Sequence, residues 1–246
     1  MSSFQWTQER IKWYLEALRF GEYPGVFLPY IAPLLLPTDT VLDVGAGTGA
    51  WSLQLAPLVS RVTALDPSEL ALNALKEEMR VRGIVNIELM EMKWADFDGP
   101  AHDVCLCAHA ASALTADPDG IARFSAKAKR LCLVITAESD EKNMFGLGEL
   151  FKMLDMPVPK RGGAYTELAP ALKRAGVSPD IKRVSYEFGQ PVKDETEACA
   201  FIRALVPGEN LPDDALRRFV TRHLTVSGSS LYLPSTNTAL LLSWTP

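Results

Sequence analysis

The sequence has no CxxC pair, and its 246 residues include only four cysteines (Cys105, Cys107, Cys132, Cys199) and three histidines, so no thiolate or imidazole set for a metal can be drawn up from it. Cys105 and Cys107 alternate on one face of a strand and read as core thiols. No apolar stretch approaches bilayer-spanning length, and the opening MSSFQWTQERIKWYLEAL has neither an apolar h-region nor a small-residue cleavage site. The expectation is a reduced, cytoplasmic protein with no membrane partner. Basic side chains are in deficit, 25 Lys plus Arg against 30 Asp plus Glu, a net charge of −5. That balance gives no overall pull toward nucleic acid. A polynucleotide partner would need a local patch, and the places for one are Arg123, Lys127, Lys129 and Arg130, or Arg217, Arg218 and Arg222. What is plentiful is apolar material: 48% hydrophobic against 22% charged residues supports one full core with room for a modest second lobe.

Up to about Ser139, short β-branched runs alternate with helical patterns. Gln5 to Phe20 places Ile11, Tyr14, Leu15 and Leu18 at helical intervals, an amphipathic helix suited to covering something. Val41 to Val44 reads as a strand, Gly45 to Gly49 as a glycine loop, Ala50 to Val59 as a helix, Arg61 to Leu65 as a second strand. Ser68 to Arg82 is a helix N-capped by Ser68 and closed by Gly83. Val85 to Met90, Val104 to Ala108 and Leu131 to Thr136 supply three more strands, with a helix from Asp117-Pro118 through Lys129 between the last two. Helices follow at Leu147 to Leu154 and Tyr165 to Ala175, then a strand at Ile181 to Phe188. Two short helices lie within Asp194 to Leu224, and the last strand is Thr238 to Trp244. The alternation specifies a doubly wound α/β fold with a mostly parallel sheet. The chain reads as one domain, 1–246: lid helices over 1–36, a core over 37–193, a helical insert over 194–226 and a closing strand over 227–246.

The chemistry concentrates in VLDVGAGTGAWSLQLA, Val41 to Ala56. Gly45, Gly47 and Gly49 stand at alternate positions at a strand-to-helix turn, where a missing Cβ permits tight bending and close approach of a ligand, and the helix behind offers free N–H groups. The third glycine of a dinucleotide loop is replaced by Ala50, and Asp43 precedes the first glycine by two residues. A carboxylate there repels a pyrophosphate and suits a cationic amino-acid ligand. Asp66 ends the second strand, where an acid accepts both hydroxyls of a ribose. In KWADF after the third strand, Asp96 can take an exocyclic adenine amine, with Trp94 or Ala95 lining the ring.

With the fourth-strand segment HDVCLCAHAAS, these residues resemble the class I S-adenosylmethionine-dependent methyltransferases, over roughly Thr40 to Ala175. The resemblance implies a seven-stranded Rossmann-like sheet whose final strand, Thr238 to Trp244, runs antiparallel. It implies S-adenosylmethionine as cofactor, held by Asp43, Gly45, Ala46, Gly47, Gly49, Asp66, Pro67, Trp94, Ala95, Asp96, Ala108 and His109, with Tyr14 or Tyr23 helping to cover it. Transfer from a sulfonium needs positioning, water exclusion and in some cases a base. His109 and Glu138, at the ends of the fourth and fifth strands, are the two candidates. The expected reaction is methyl transfer to a small-molecule acceptor. The alternatives are an RNA or protein methyltransferase, or a protein that binds the nucleoside without catalysis. AHAAS stands where the amino-methylating nucleic-acid branch carries [DN]PP[YF]. The acceptor and the oligomeric state are not written in the sequence.

Overall fold

The computed structural model describes residues 5–139, 141, 144–160, 163–227 and 230–246; residues 1–4 of the expected lid segment lie outside the described residues. The chain runs α1 (Gln8–Phe20), α2 (Leu28–Ile31), β1 (Thr40–Val44), α3 (Ser52–Leu55), β2 (Arg61–Asp66), α4 (Glu69–Arg82), β3 (Ile87–Glu91), β4 (His102–Ala108), α5 (Ser112–Thr115), α6 (Gly120–Ala126) and β5 (Ala128–Ala137). It continues with α7 (Leu147–Met153), α8 (Tyr165–Arg174), β6 (Asp180–Glu187), β7 (Gln190–Val192), α9 (Glu195–Leu205), α10 (Asp213–His223), β8 (Thr225–Ser227), β9 (Ser230–Leu233) and β10 (Thr236–Trp244).

Seven strands form one sheet in the order β3-β2-β1-β4-β5-β10-β6. β10 is antiparallel to both β5 and β6, while β1, β2, β3, β4 and β5 pair in parallel. The doubly wound, mostly parallel sheet with a reversed last strand is therefore the one the sequence implied. Its central strands are buried on both faces, which is why TVLDV and HDVCLCA read as almost unbroken apolar runs. One apolar layer holds Phe27, Val41, Leu55, Leu75 and Val104; the other holds Leu42, Cys105, Phe124, Cys132 and Leu168.

Three local expectations need correction. The helix expected over Ala50 to Val59 is only α3, followed by a 3-10 turn at Ala56–Leu58. Pro57 has no N–H for the helical ladder and crowds the preceding turn. The helix expected from Asp117 starts at Gly120, because Asp117 Oδ1 accepts from the Asp119 amide and its carbonyl accepts from the Gly120 amide, closing a turn first. Finally, β7, β9 and β8 form a separate three-stranded sheet, which together with α9, α10 and α7 buries a third apolar cluster around Phe151, Phe201 and Phe219. The insert is thus a small α+β lobe, and α1 contributes Trp13 to its core.

Candidate functional site

The glycine loop is tied to β2 by main chain. The amides of Gly45 and Ala46 donate to the Leu65 carbonyl at 2.8 and 3.0 Å, and the Gly47 amide donates to Asp66 Oδ2 at 2.8 Å. The glycines at 45, 47 and 49 all have positive φ, and each has a different neighbour. A Cβ at Gly45 would lie 2.4 Å from the Ala110 Cβ, and one at Gly49 would lie 2.2 Å from Leu75 Cδ1. Both are packing requirements. Only Gly47 faces an aromatic cover: its Cβ would come 3.1 Å from Cζ2 of Trp6. Of the three, Gly47 is thus the glycine whose bare side faces a chain segment outside the sheet and helices, and α3, a single turn, adds little dipole to the loop.

Beneath the loop Asp43 is 1% exposed and accepts from Ser52 Oγ at 2.6 Å. Burial, with some help from the nearby Asp66 charge, pushes its carboxyl up to about 7 against the pull of Ser52. Asp66 also accepts from the Ser68 amide at 2.9 Å, and burial raises its carboxyl against the two amides it holds. Each carboxylate oxygen offers two lone-pair directions, so Asp66 keeps acceptor capacity for hydroxyls. Behind the loop a cleft of about 250 Å³ lies between α1, α3 and α4, lined among others by Arg19, Tyr23, Thr48, Leu53 and Glu78. The Thr48 hydroxyl is buried there without a hydrogen-bond partner among the described residues.

Of the remaining sequence candidates, Ala95 and Asp96 are exposed beside the end of β3, and Pro67 is exposed at the end of β2. Trp94 is 3% exposed; its ring packs on Phe97 and Phe124 and carries the Arg123 guanidinium 4.7 Å above it, so the indole belongs to the core. Ala108 ends β4 half-buried. His109 follows it exposed, with φ of 55° and its amide donating to the Ile135 carbonyl at 2.7 Å. Glu138, the second candidate base, is committed elsewhere: Arg183 donates to both of its carboxylate oxygens at 2.9 to 3.0 Å and holds it below the usual carboxylate range. A carboxylate so held is a poorer proton acceptor than the sequence alone implied.

Around His109 the structure assembles rings that the sequence did not group. Tyr14 packs on Trp6 at 5.4 Å and on Phe188 at 5.9 Å. Tyr23 stacks on Tyr186 at 5.6 Å, touches His109 at 5.4 Å and accepts from Trp51 Nε1 at 2.7 Å. Burial raises the Tyr14 and Tyr23 phenols well above their ordinary range, with the neighbouring tyrosines and Asp43 adding to it. Trp51 stands inside the quoted glycine motif and could have been suspected. Tyr186 had no local signal, since only the strand order brings it near residue 109.

These features fit a nucleoside with a cationic amino-acid tail: a hydroxyl without a partner among the described residues and a bare glycine on the loop, and carboxylates at the ends of β1 and β2. Comparison with known proteins agrees. Residues 41–132 match the family described as a methyltransferase domain. An uncharacterized protein of Haemophilus influenzae is 28% identical over 188 residues, 73% of this chain and 68% of that one. The ribosomal protein L11 methyltransferase of Staphylococcus epidermidis is 40% identical over 63 residues, 24% of this chain and 20% of that one. Among solved structures, magnesium protoporphyrin IX methyltransferase of Synechocystis PCC 6803 with bound SAH superposes with a TM-score of 0.54 at 15% identity, covering 98% of this chain and 89% of that one. Glycine loop, acids and strand order converge with the match: residues 41–132 resemble a methyltransferase domain, and the seven-stranded sheet has the fold of the methyltransferase structures it superposes on.

Proposed function

We propose that this methyltransferase acts on a small molecule enclosed beneath α1 and the lobe formed by α7, α9 and α10. The observation that carries the reading is Trp6 lying on Gly47, with Tyr14 packed against that indole. An aromatic ring on the loop, backed by a second, suits a ligand that is wrapped on all sides, and Trp6 stands on the chain just before α1, where it can yield its place to the cofactor. When bound, S-adenosylmethionine supplies a methyl group already activated on sulfur. The chain's own part is then to hold and orient. Gly47 lends bare backbone, Asp66 accepts from hydroxyls, Asp96 is the acceptor for an exocyclic amine, and Asp43 places negative charge beneath a cation. His109, exposed at the carboxyl end of β4 beside the loop, is the group placed to take a proton from the acceptor.

The basic stretch from Arg123 on α6 to Arg130 on β5 supports a small acceptor over RNA, because its charges are engaged by the chain's own carbonyls and carboxylates. Arg123 donates to the Ala95 carbonyl at 2.9 Å, Lys127 to the Asp98 carbonyl at 3.1 Å, and Arg130 to the Leu34 carbonyl at 2.9 Å while pairing with Asp39. Magnesium protoporphyrin IX methyltransferase, which has a like fold, is named for a small molecule. The test is to supply methyl-labelled S-adenosylmethionine with the small-molecule, RNA and protein fractions of a cell extract in parallel. Label is expected in the small-molecule fraction; label confined to RNA or protein overturns the reading.

A further inference from the structure

His223 is the last residue of α10, and the proposed reaction does not use it. Its side chain is 23% exposed and is gripped from both ends. Nδ1 lies 2.9 Å from the Phe219 carbonyl one turn back, and Nε2 lies 3.1 Å from Glu149 Oε2 on α7. Neither partner can give a proton. A carbonyl oxygen only accepts, and Glu149 is ionised, because the bond from Arg222 and the charges of His223 and Arg222 hold its carboxyl below the usual carboxylate range. Both ring nitrogens must then donate, and a ring that donates from both is an imidazolium.

Two surroundings favour that cation. It stands at the C-terminus of α10, where unbonded carbonyls leave negative charge. The Phe219 ring lies against it, centroids 4.1 Å apart and planes at 30°, and an aromatic face attracts a cation. Gly146, which N-caps α7 with a positive φ, leaves room for the ring: a Cβ there would come 3.1 Å from Nε2. Among the described residues the charged groups at the ring are Glu149 on α7 and Arg222 on α10, which donates to the other oxygen of the same carboxylate at 2.8 Å. Glu195 of α9 accepts from Thr221 at 3.2 Å, and Met144–Gly146 brings no charge.

Loss of one proton spoils the pattern whichever nitrogen it leaves. With Nε2 bare, a lone pair faces the Glu149 carboxylate; with Nδ1 bare, one faces the Phe219 carbonyl. We propose that His223 is a proton-dependent latch of the lobe: as imidazolium it ties the end of α10 to α7 through Glu149, and as neutral imidazole it lets that tie go. A charge-assisted bond is replaced by an unfavourable contact, so the tie holds in mild acid and is lost as pH rises through the imidazole range, about 5 to 8. Arg222 stays charged throughout and keeps its own bond to Glu149, so α7 is slackened and not released. The latch belongs to the lobe and stands whatever the lobe encloses.

Hydrogen exchange at about pH 5.5 and 8.5, expressed at each pH as protection relative to the unfolded chain, tests the proposal. Asp43 also changes stability over this range, and β1 registers that contribution. The latch is what α7 and the last turn of α10 lose beyond β1. In the wild type that excess is expected to be about fivefold. His223→Gln, which keeps an uncharged donor, should abolish it, and so should Glu149→Gln, which removes the carboxylate from the other side. Arg222→Gln should retain it, because that pair does not titrate here. Equal changes in α7 and β1 of the wild type overturn the latch, as does an excess that survives in His223→Gln. An excess lost in Arg222→Gln and kept in Glu149→Gln overturns it too, since the tie would then not run from the ring to that carboxylate.

Discussion

Asp43 carries a charge that the fold resists and that, on the proposed reading, a bound sulfonium would favour. In the native chain its carboxyl titrates at about 7, whereas in the unfolded chain it returns to the ordinary value of 3.8. Between those values the folded state holds a proton that the unfolded state has released, so stability falls as pH rises through that window, and the full cost stands above it. Asp43→Asn keeps an acceptor for Ser52 and removes the cost. Melting of the cofactor-free protein should therefore show a higher Tm for the variant at pH 8 and no gain near pH 4; equal gains at both would refute the role of burial. Asp66→Ala should weaken S-adenosylmethionine binding at least tenfold by calorimetry, about 1.4 kcal/mol, because it removes the hydroxyl acceptor and frees the Gly47 amide. At this scale Asp43, the glycines and Asp66 were legible because they crowd into two consecutive strands and their loops. Tyr186 was not, being separated from His109 by 77 positions and joined to it only through the sheet. Glu138 looked free because nothing local announces that Arg183 lies across β10 from it.

Among the elements, α1 behaves as a strap between the lobe and the sheet. Glu197 of α9 accepts from Lys12 Nζ at 2.7 Å, from Trp13 Nε1 at 3.2 Å and from the Lys193 amide at 2.8 Å, while Gln190 donates to the Trp13 carbonyl at 3.2 Å. At its other end Arg19 pairs with Glu78 of α4 at 2.9 Å. Trp13 is 3% exposed, so Glu197→Ala leaves a buried indole N–H without an acceptor, at a cost of about 2 kcal/mol. Hydrogen exchange in that variant should quicken along α1 and leave β1 and β4 protected; protection unchanged in α1 would show that the strap is held by apolar packing alone. Helices with a full apolar stripe and clear ends, α1, α4 and α8, could be read from the sequence nearly residue by residue. The strands of the second sheet could not, because three or four residues carry no periodicity and Pro191 argues against a strand.

For the whole molecule, ligand binding should register as global stability. At a concentration of 100 times Kd, S-adenosylmethionine or its demethylated product should add about 2.7 kcal/mol, raising Tm, while NAD should leave it unmoved. Equal shifts with NAD would overturn the cofactor assignment. The overall sheet was readable because parallel strands buried on both faces leave long apolar runs at regular spacing. The antiparallel run of β10 was implied only by family resemblance, and its place between β5 and β6 was not legible in the sequence at all.

That insertion divides the labour of the sheet. Asp43, Gly47 and Asp66 sit on neighbouring strands from one short stretch of chain, whereas β6 is bonded to the rest of the sheet only through β10. Peeling β10 away would carry off β6 with Tyr186 and leave β1, β2 and the glycine loop paired. On the proposed reading the cofactor rests on residues of β1, β2 and their loop, so damage at the outer seam would spare that part of the molecule and disturb only the Tyr186 side of the surroundings of His109.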